Sequence, residues 1–155
     1  MNCYDQKTRK IERSKIDLFC QRVEEFVENW QETFEPDWII GEGKIENIQR
    51  VHYIIHENLY SVFVSDYSDF IELSSAVLGD ALVDILQFEW CEIKLSGFYT
   101  VGLKNYYNDL LIPIREMIIH RLSGRPQCGG LEHLFFDILF SAHFWKSGFH
   151  PLSGK

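Results

Sequence analysis

The chain has 155 residues, of which 46% are hydrophobic and 15% aromatic, and its formal net charge is −8. This length and composition predict one globular domain over 1–155, with a core at about 13–146 and loose ends. The negative charge argues against nucleic acid and anionic membranes as main partners, because both require a basic protein surface, and favours a basic protein partner.

No stretch of the sequence reaches the roughly eighteen apolar residues of a membrane span, and the polar start lacks the apolar segment of a signal peptide. We therefore expect a cytoplasmic protein. The cysteines are scattered without a CxxC pair, at Cys3, Cys20, Cys91 and Cys128. This spacing predicts reduced thiols, most of which are packing residues. The sequence contains no phosphate-binding or dinucleotide motif, so we expect no cofactor.

Apolar residues recur every three or four positions from Arg13 to Phe34 and predict a long amphipathic helix. Basic residues stand at its start, whereas acidic residues, including Glu28 and Glu32, crowd its end. This order opposes the helix dipole. The acidic residues at the end of this helix form either a solvated face, in which the order of the charges is accidental, or an acidic contact surface.

A second helix of about four turns is predicted from Ile45, and it carries His52 and His56. Two histidines four apart can share a metal ion, but Tyr53 stands where a zinc protease has its glutamate. Glu57 projects about 100° away from His56, which makes it a poor third ligand. We expect no metal site and two half-exposed rings beside the core.

The middle of the chain has only one sign of charge. It has no lysine or arginine between Arg50 and Lys94, a span with eight acidic residues. Solvated carboxylates are the usual outcome of such a run. If the acidic residues serve a basic partner, the predicted contact residues are Asp66, Asp69, Glu72, Asp80 and Asp84, together with Glu28 and Glu32 of the first helix.

The centre of the chain reads as a helix followed by a hairpin. The helix is predicted from about Glu72, capped by Ser74 or Ser75, with Gly79 marking a close approach to another backbone. Period-two alternation then predicts strands at 88–95 and 98–104, a turn at 96–97, and a third strand at 109–112. The expected fold is α+β, with about five helices packed on a three-stranded antiparallel meander.

Pro113 is well placed to open the next helix. The last predicted helix, Leu131 to about Trp145, carries an ordinary core stripe and a second apolar stripe of Phe136, Phe140 and Phe144. Two apolar faces indicate near-complete burial or a protein contact, and the contact alternative includes a homodimer. Cys128 and His133 lie near this helix, and could form a nucleophile pair only in a demanding geometry.

Several short motifs resemble a bacterial family known only as a domain of unknown function. They are Ile48-Gln49, the LGxxL step of Leu78, Gly79 and Leu82, the strand residue Trp90, Pro113, and the Arg-x-x-Gly ending at Arg121 and Gly124. The chain departs from that pattern at Leu95-Ser96-Gly97 and at Arg125. The resemblance implies that roughly residues 13–140 share the fold of that family. It implies no activity, because the family has no agreed one.

Three classes of function remain open at this stage. The first is a non-enzymatic immunity protein that neutralises a basic bacterial toxin by direct binding, since an inhibitor needs no catalytic group and opposite charge speeds association. The second is a structural or self-associating module that uses the stripe of Phe136, Phe140 and Phe144. The third is a small hydrolase or metal enzyme built on His52 and His56 or on Cys128 and His133.

Overall fold

The computed structural model describes residues 8–34, 43–105, 110–123 and 134–135. Within these ranges the protein is α+β, with five helices and one antiparallel sheet of four strands. In chain order the elements are β1 (Thr8–Lys10), α1 (Arg13–Thr33), α2 (Lys44–His56), α3 (Tyr60–Phe63), α4 (Tyr67–Leu86), β2 (Phe88–Leu95), β3 (Phe98–Asn105), β4 (Leu111–Ile112) and α5 (Ile114–Ser123).

The sheet has the strand order β1-β2-β3-β4, so the predicted meander is confirmed and the predicted count of three strands is wrong. The additional strand is β1, which pairs with the middle of β2 so that Arg9 lies opposite Glu92. Its three residues are too few to show an alternating pattern. The pairing depends on contacts that are distant in sequence, including a 3.1 Å ion pair between Arg9 and Glu92.

The hairpin between β2 and β3 forms at the predicted turn. Ser96 and Gly97 both have positive φ angles, 49° and 92°. Two consecutive left-handed residues are the requirement of a type I′ turn, whose twist matches that of the strands. The turn fixes the register in which Leu95 lies opposite Phe98 and Trp90 lies opposite Leu103.

Helix α4 begins at Tyr67, five residues before the predicted start. Its cap is Asp66, whose carboxylate accepts a 2.8 Å hydrogen bond from the Asp69 backbone N–H, whereas Ser74 and Ser75 are buried inside the helix. A carboxylate at this position satisfies a backbone donor that the helix leaves free, and its charge opposes the positive end of the dipole. The helix ends at Leu86, before the left-handed Gln87.

The core is built around α4, which packs against α1, α2, α5 and the sheet. Gly79 is where β2 approaches this helix, since a Cβ at that position would collide with the indole ring of Trp90. The predicted approach to another backbone is therefore wrong, because the close neighbour of Gly79 is the side chain of Trp90. Trp90 is held in place by stacking on Phe19 of α1, with ring centroids 4.6 Å apart.

The remaining helices follow the predicted pattern with small changes. Helix α1 ends one residue before the predicted position, and the chain between α2 and α4 forms the short α3. Ile85 near the end of α4 is 39% exposed, although it is a large apolar residue. The predicted last helix and its stripe of Phe136, Phe140 and Phe144 lie outside the described residues, apart from Leu134 and Phe135, which are helical and buried.

No helix in the described part of the chain combines the length and the apolar character needed to cross a membrane.

Candidate partner-binding surface on the first helix

The seven acidic residues that the sequence singled out fall into two groups according to their contacts. Four of them, all at the start or in the middle of α4, bind other groups of the protein: Asp66, Asp69, Glu72 and Asp80. The other three are exposed: Asp84 on α4, and Glu28 and Glu32 on α1. The two groups differ in how much of their charge remains available to a partner.

The carboxylates at the start of α4 hold the α3–α4 corner together. Asp69 accepts a 2.9 Å hydrogen bond from the Ser65 backbone N–H and forms a 3.4 Å ion pair with Arg22 of α1. The same guanidinium donates a 3.2 Å hydrogen bond to the Phe63 carbonyl. Asp66 is the helix cap, so both residues have structural roles whatever else they contact.

The two acidic side chains further along α4 have cationic partners from distant elements. Glu72 lies 3.1 Å from the Arg115 guanidinium of α5, and Asp80 lies 2.6 Å from the Lys44 ammonium of α2. The hydrogen bond that Lys44 donates to Asp80 is the main cause of the raised pKa of Lys44. These carboxylates are largely neutralised within the fold, because an opposite charge at this distance offsets their field.

Helix α1 presents a different arrangement, which we call the glutamate ridge: Glu24, Glu25, Glu28 and Glu32. All four side chains are exposed, and they lie opposite the buried residues Val23, Phe26 and Trp30. Glu25 accepts a 2.9 Å hydrogen bond from Gln21. Among the described residues, Glu24, Glu28 and Glu32 have no ion-pair or hydrogen-bond partner.

The ridge is electrostatically unfavourable for the isolated helix. Glu24, Glu28 and Glu32 are spaced four apart, which places like charges on adjacent turns and costs about 0.2–0.5 kcal/mol for each pair. They also lie in the half of α1 that ends at the negative pole of the helix dipole, and its last turn has no basic residue. A cation supplied from outside the chain relieves both effects.

Two grooves run along the sides of the ridge. A groove of about 440 Å³ separates α1 from α2, and its α1 side combines the apolar Val23 and Val27 with Glu24 and Glu28. A groove of about 480 Å³ on the other side is lined by Leu18, Phe19 and Val101, with Glu25 at its edge. Leu18 is 63% exposed, which provides apolar contact area beside the charged ridge.

The candidate metal ligands on α2 lie close to each other but form no complete site. The rings of His52 and His56 have centroids 6.4 Å apart, and the His56 ring lies 3.7 Å from the exposed carboxylate of Glu57. Within the described ranges, no group of three or more histidine, cysteine or acidic residues has the geometry to hold a metal ion.

Neither described cysteine has the lowered pKa that a nucleophilic thiol needs. Burial raises the pKa of Cys91 to about 11, and burial together with the nearby Asp80 carboxylate raises the pKa of the more exposed Cys20. The predicted packing role of Cys91 is confirmed by its buried position. Cys128 and His133 lie outside the described residues.

No model of a known protein family matches the chain, and no curated protein sequence or solved structure matches it either. The motif resemblance therefore stays a prediction. Its residues occupy structural positions: Leu78, Gly79 and Leu82 lie in α4, Trp90 lies in β2, and Pro113 precedes α5.

Sequence reasoning selected Glu28 and Glu32 but left out three residues of the same surface. Glu24 and Glu25 stood in the acidic run, and the four-residue spacing of Glu24, Glu28 and Glu32 is a readable signal of one helical face. Leu18 could not be identified in the same way, because periodicity does not show that an apolar residue beside the predicted stripe stays exposed.

Proposed function

We propose that this protein is a non-enzymatic binding module that neutralises a basic protein, in the manner of a cytoplasmic immunity protein directed against a bacterial toxin. The observation that carries the proposal is the glutamate ridge, whose charge is largely unpaired within the described chain. A basic surface on the partner supplies the missing cations, and the two flanking grooves supply apolar contact around them.

The available charge favours α1 over α4 as the contact surface. A partner that bound at Asp69, Glu72 or Asp80 would have to compete with Arg22, Arg115 or Lys44, each already in place. A partner that binds at Glu24, Glu28 or Glu32 competes with no ion pair among the described residues. Asp84 is exposed, so it remains a predicted contact, although its field also acts on Lys44.

An inhibitor of this kind works by covering the active surface of its target. Such a function needs affinity and fast association, and complementary charge raises association rates well above those of neutral partners. The overall charge of −8 attracts a basic protein at long range, and the ridge orients it at contact. The same ridge disfavours self-association through this face, because two copies would bring like charges together.

The proposal is tested by co-purification from the native organism. Tagged wild-type protein is compared with the triple variant E24K/E28K/E32K in moderate salt, and bound proteins are identified by mass spectrometry. We expect the wild type to retain one basic protein that is toxic when expressed alone and harmless with this chain. The triple variant should lose that protein and its protection.

A matched control carries the same change of charge elsewhere. Glu12, Glu57 and Glu89 are exposed and lie outside the ridge, so E12K/E57K/E89K should keep the partner. Circular dichroism melting establishes that both triple variants are folded. Equal retention by the ridge variant and the wild type contradicts the ridge as contact surface. Recovery of the chain alone, without a basic partner, contradicts the proposed function itself.

A further inference from the structure

A cavity of about 450 Å³ lies at the corner where α2, α3, α4 and α5 meet. Its apolar walls come from Ile55 of α2 and Leu122 of α5, and its aromatic residues are Tyr60, Tyr67 and Phe70. A volume of this size is in the range of small-molecule and side-chain binding pockets. None of the four glutamates of the ridge lines this cavity.

The three aromatic residues differ in exposure, since Tyr67 is exposed, Tyr60 is half-buried and Phe70 is buried. Tyr60 contacts Phe70 edge to face, with ring centroids 5.0 Å apart, which fixes both rings in the wall. Tyr67 also lines the cavity and is 58% exposed, an unusual position for a large aromatic side chain. Aromatic faces attract cations through the negative charge above the ring.

Among the described residues that line the cavity there is one negative charge, that of Asp66, and no positive charge. One carboxylate oxygen of Asp66, Oδ1, accepts the capping hydrogen bond from Asp69. The other oxygen, Oδ2, has no hydrogen-bond partner among the described residues. Asp69, by contrast, has Arg22 beside it. Two accessible tyrosines beside a carboxylate that has no ion-pair partner among the described residues form the chemistry that recognises an organic cation.

We propose that this cavity binds the side chain of an arginine or lysine presented by the basic partner. The alkyl stem packs against Ile55 and Leu122, and the charged head lies between the aromatic rings and Asp66. The assignment of the cation to a partner protein rests on the proposed function. The binding of an organic cation in the cavity does not. The two surfaces adjoin, because Ser65 lines the cavity and donates to Asp69, which lines the groove beside the ridge.

The chemistry of the cavity is tested without the partner, with n-butylguanidinium as the probe and neutral n-butylurea as its isostere. We expect n-butylguanidinium to shift the NMR amide signals of Tyr60, Ser65 and Tyr67, with n-butylurea binding at least about threefold more weakly. Equal binding of the two compounds, or no shift at these residues, overturns the proposal.

Two variants distinguish the contribution of the Asp66 charge to binding from that of the aromatic wall of the cavity. Asp66→Asn keeps the helix cap, because asparagine caps as well as aspartate, and should weaken n-butylguanidinium binding about threefold to tenfold with little effect on n-butylurea. Tyr67→Ala removes an exposed ring and should weaken the binding of both compounds. The control is Phe98→Ala, which removes a ring that is 59% exposed at the distant hairpin turn, and binding should be unchanged.

The source of the cation is tested with the partner recovered by co-purification. We expect Asp66→Asn and Tyr67→Ala to weaken partner affinity about fivefold or more, and Phe98→Ala to leave it unchanged. If both pocket variants bind the partner like the wild type, the inference is overturned and the proposed function stands. If n-butylguanidinium binds but no basic partner exists, the ligand is a free organic cation and the assignment to a partner side chain is overturned.

Discussion

Reversing the charge of Glu28 should stabilise the protein while weakening its binding. Glu28 lies between Glu24 and Glu32, four residues from each, on the exposed face of α1. A like-charge pair at this spacing costs about 0.2–0.5 kcal/mol and an opposite pair gains about as much, so Glu28→Lys changes two pairs by about 0.4–1 kcal/mol each. With allowance for solvent screening, we expect a gain of about 1 kcal/mol in the free energy of unfolding.

The assay is urea unfolding followed by circular dichroism, at low salt and at about 0.5 M salt, where screening shortens the range of the charges. A gain of about 1 kcal/mol corresponds to a rise of roughly 2–4 °C in the melting temperature of a domain of this length. Glu28→Gln removes the repulsion without adding attraction and should give about half the effect.

Glu57→Lys is the matched control for Glu28→Lys. It also replaces an exposed glutamate by lysine, at the C-cap of α2, but the residues four positions away are Tyr53 and Ser61. It therefore has at least the helix-dipole contribution of Glu28→Lys and lacks the contribution of the glutamate pairs. The reasoning is refuted if Glu28→Lys is no more stable than Glu57→Lys, or if its advantage persists unchanged in high salt.

Three further predictions concern the fold. Gly79→Ala should destabilise by about 1–3 kcal/mol in thermal melts, because its methyl group meets the Trp90 ring, and should become stabilising in a Trp90→Leu background. Asp66→Ala should cost about 1 kcal/mol in urea unfolding, whereas Asp66→Asn should be nearly neutral. The pKa of Cys91 is about 11 in the folded protein against an ordinary 9.0, so the unfolded chain ionises first and stability should fall as pH rises from about 9 to 11. Cys91→Ala should lose this part of the pH dependence in urea midpoints at pH 8 and pH 10, and a pH dependence equal to that of the wild type contradicts the assignment.

The features that the sequence predicted correctly depend on neighbouring residues. The bounds of α1 follow from apolar residues three and four apart, and the hairpin follows from alternation around Ser96 and Gly97. The early start of α4 could also have been read locally, since Asp66 is a good cap residue. The predicted cap at Ser74 or Ser75 is wrong, because both serines lie inside α4 and are buried.

The features that the sequence could not show depend on pairs that are distant along the chain. The neutralisation of Asp80 requires Lys44, and that of Asp69 requires Arg22, at separations of 36 and 47 residues. Strand β1 likewise depends on Glu92, 83 residues from Arg9. The segment between Arg50 and Lys94 has no lysine or arginine, so the sequence indicated an acidic surface there. The fold nevertheless places cations from other segments beside several of its carboxylates.

The ridge and the cavity should affect different steps of partner binding, which allows them to be separated in a single kinetic experiment. Exposed charges act mainly while the two proteins approach, so Glu28→Lys should lower the association rate and reduce its dependence on salt. An anchoring side chain held in a cavity acts after contact, so Asp66→Asn and Tyr67→Ala should raise the dissociation rate. Surface plasmon resonance at two salt concentrations measures both rates. If only the dissociation rate changes in all three variants, the ridge contributes contacts in the bound complex and does not accelerate association. If only the association rate changes, the cavity holds no partner side chain.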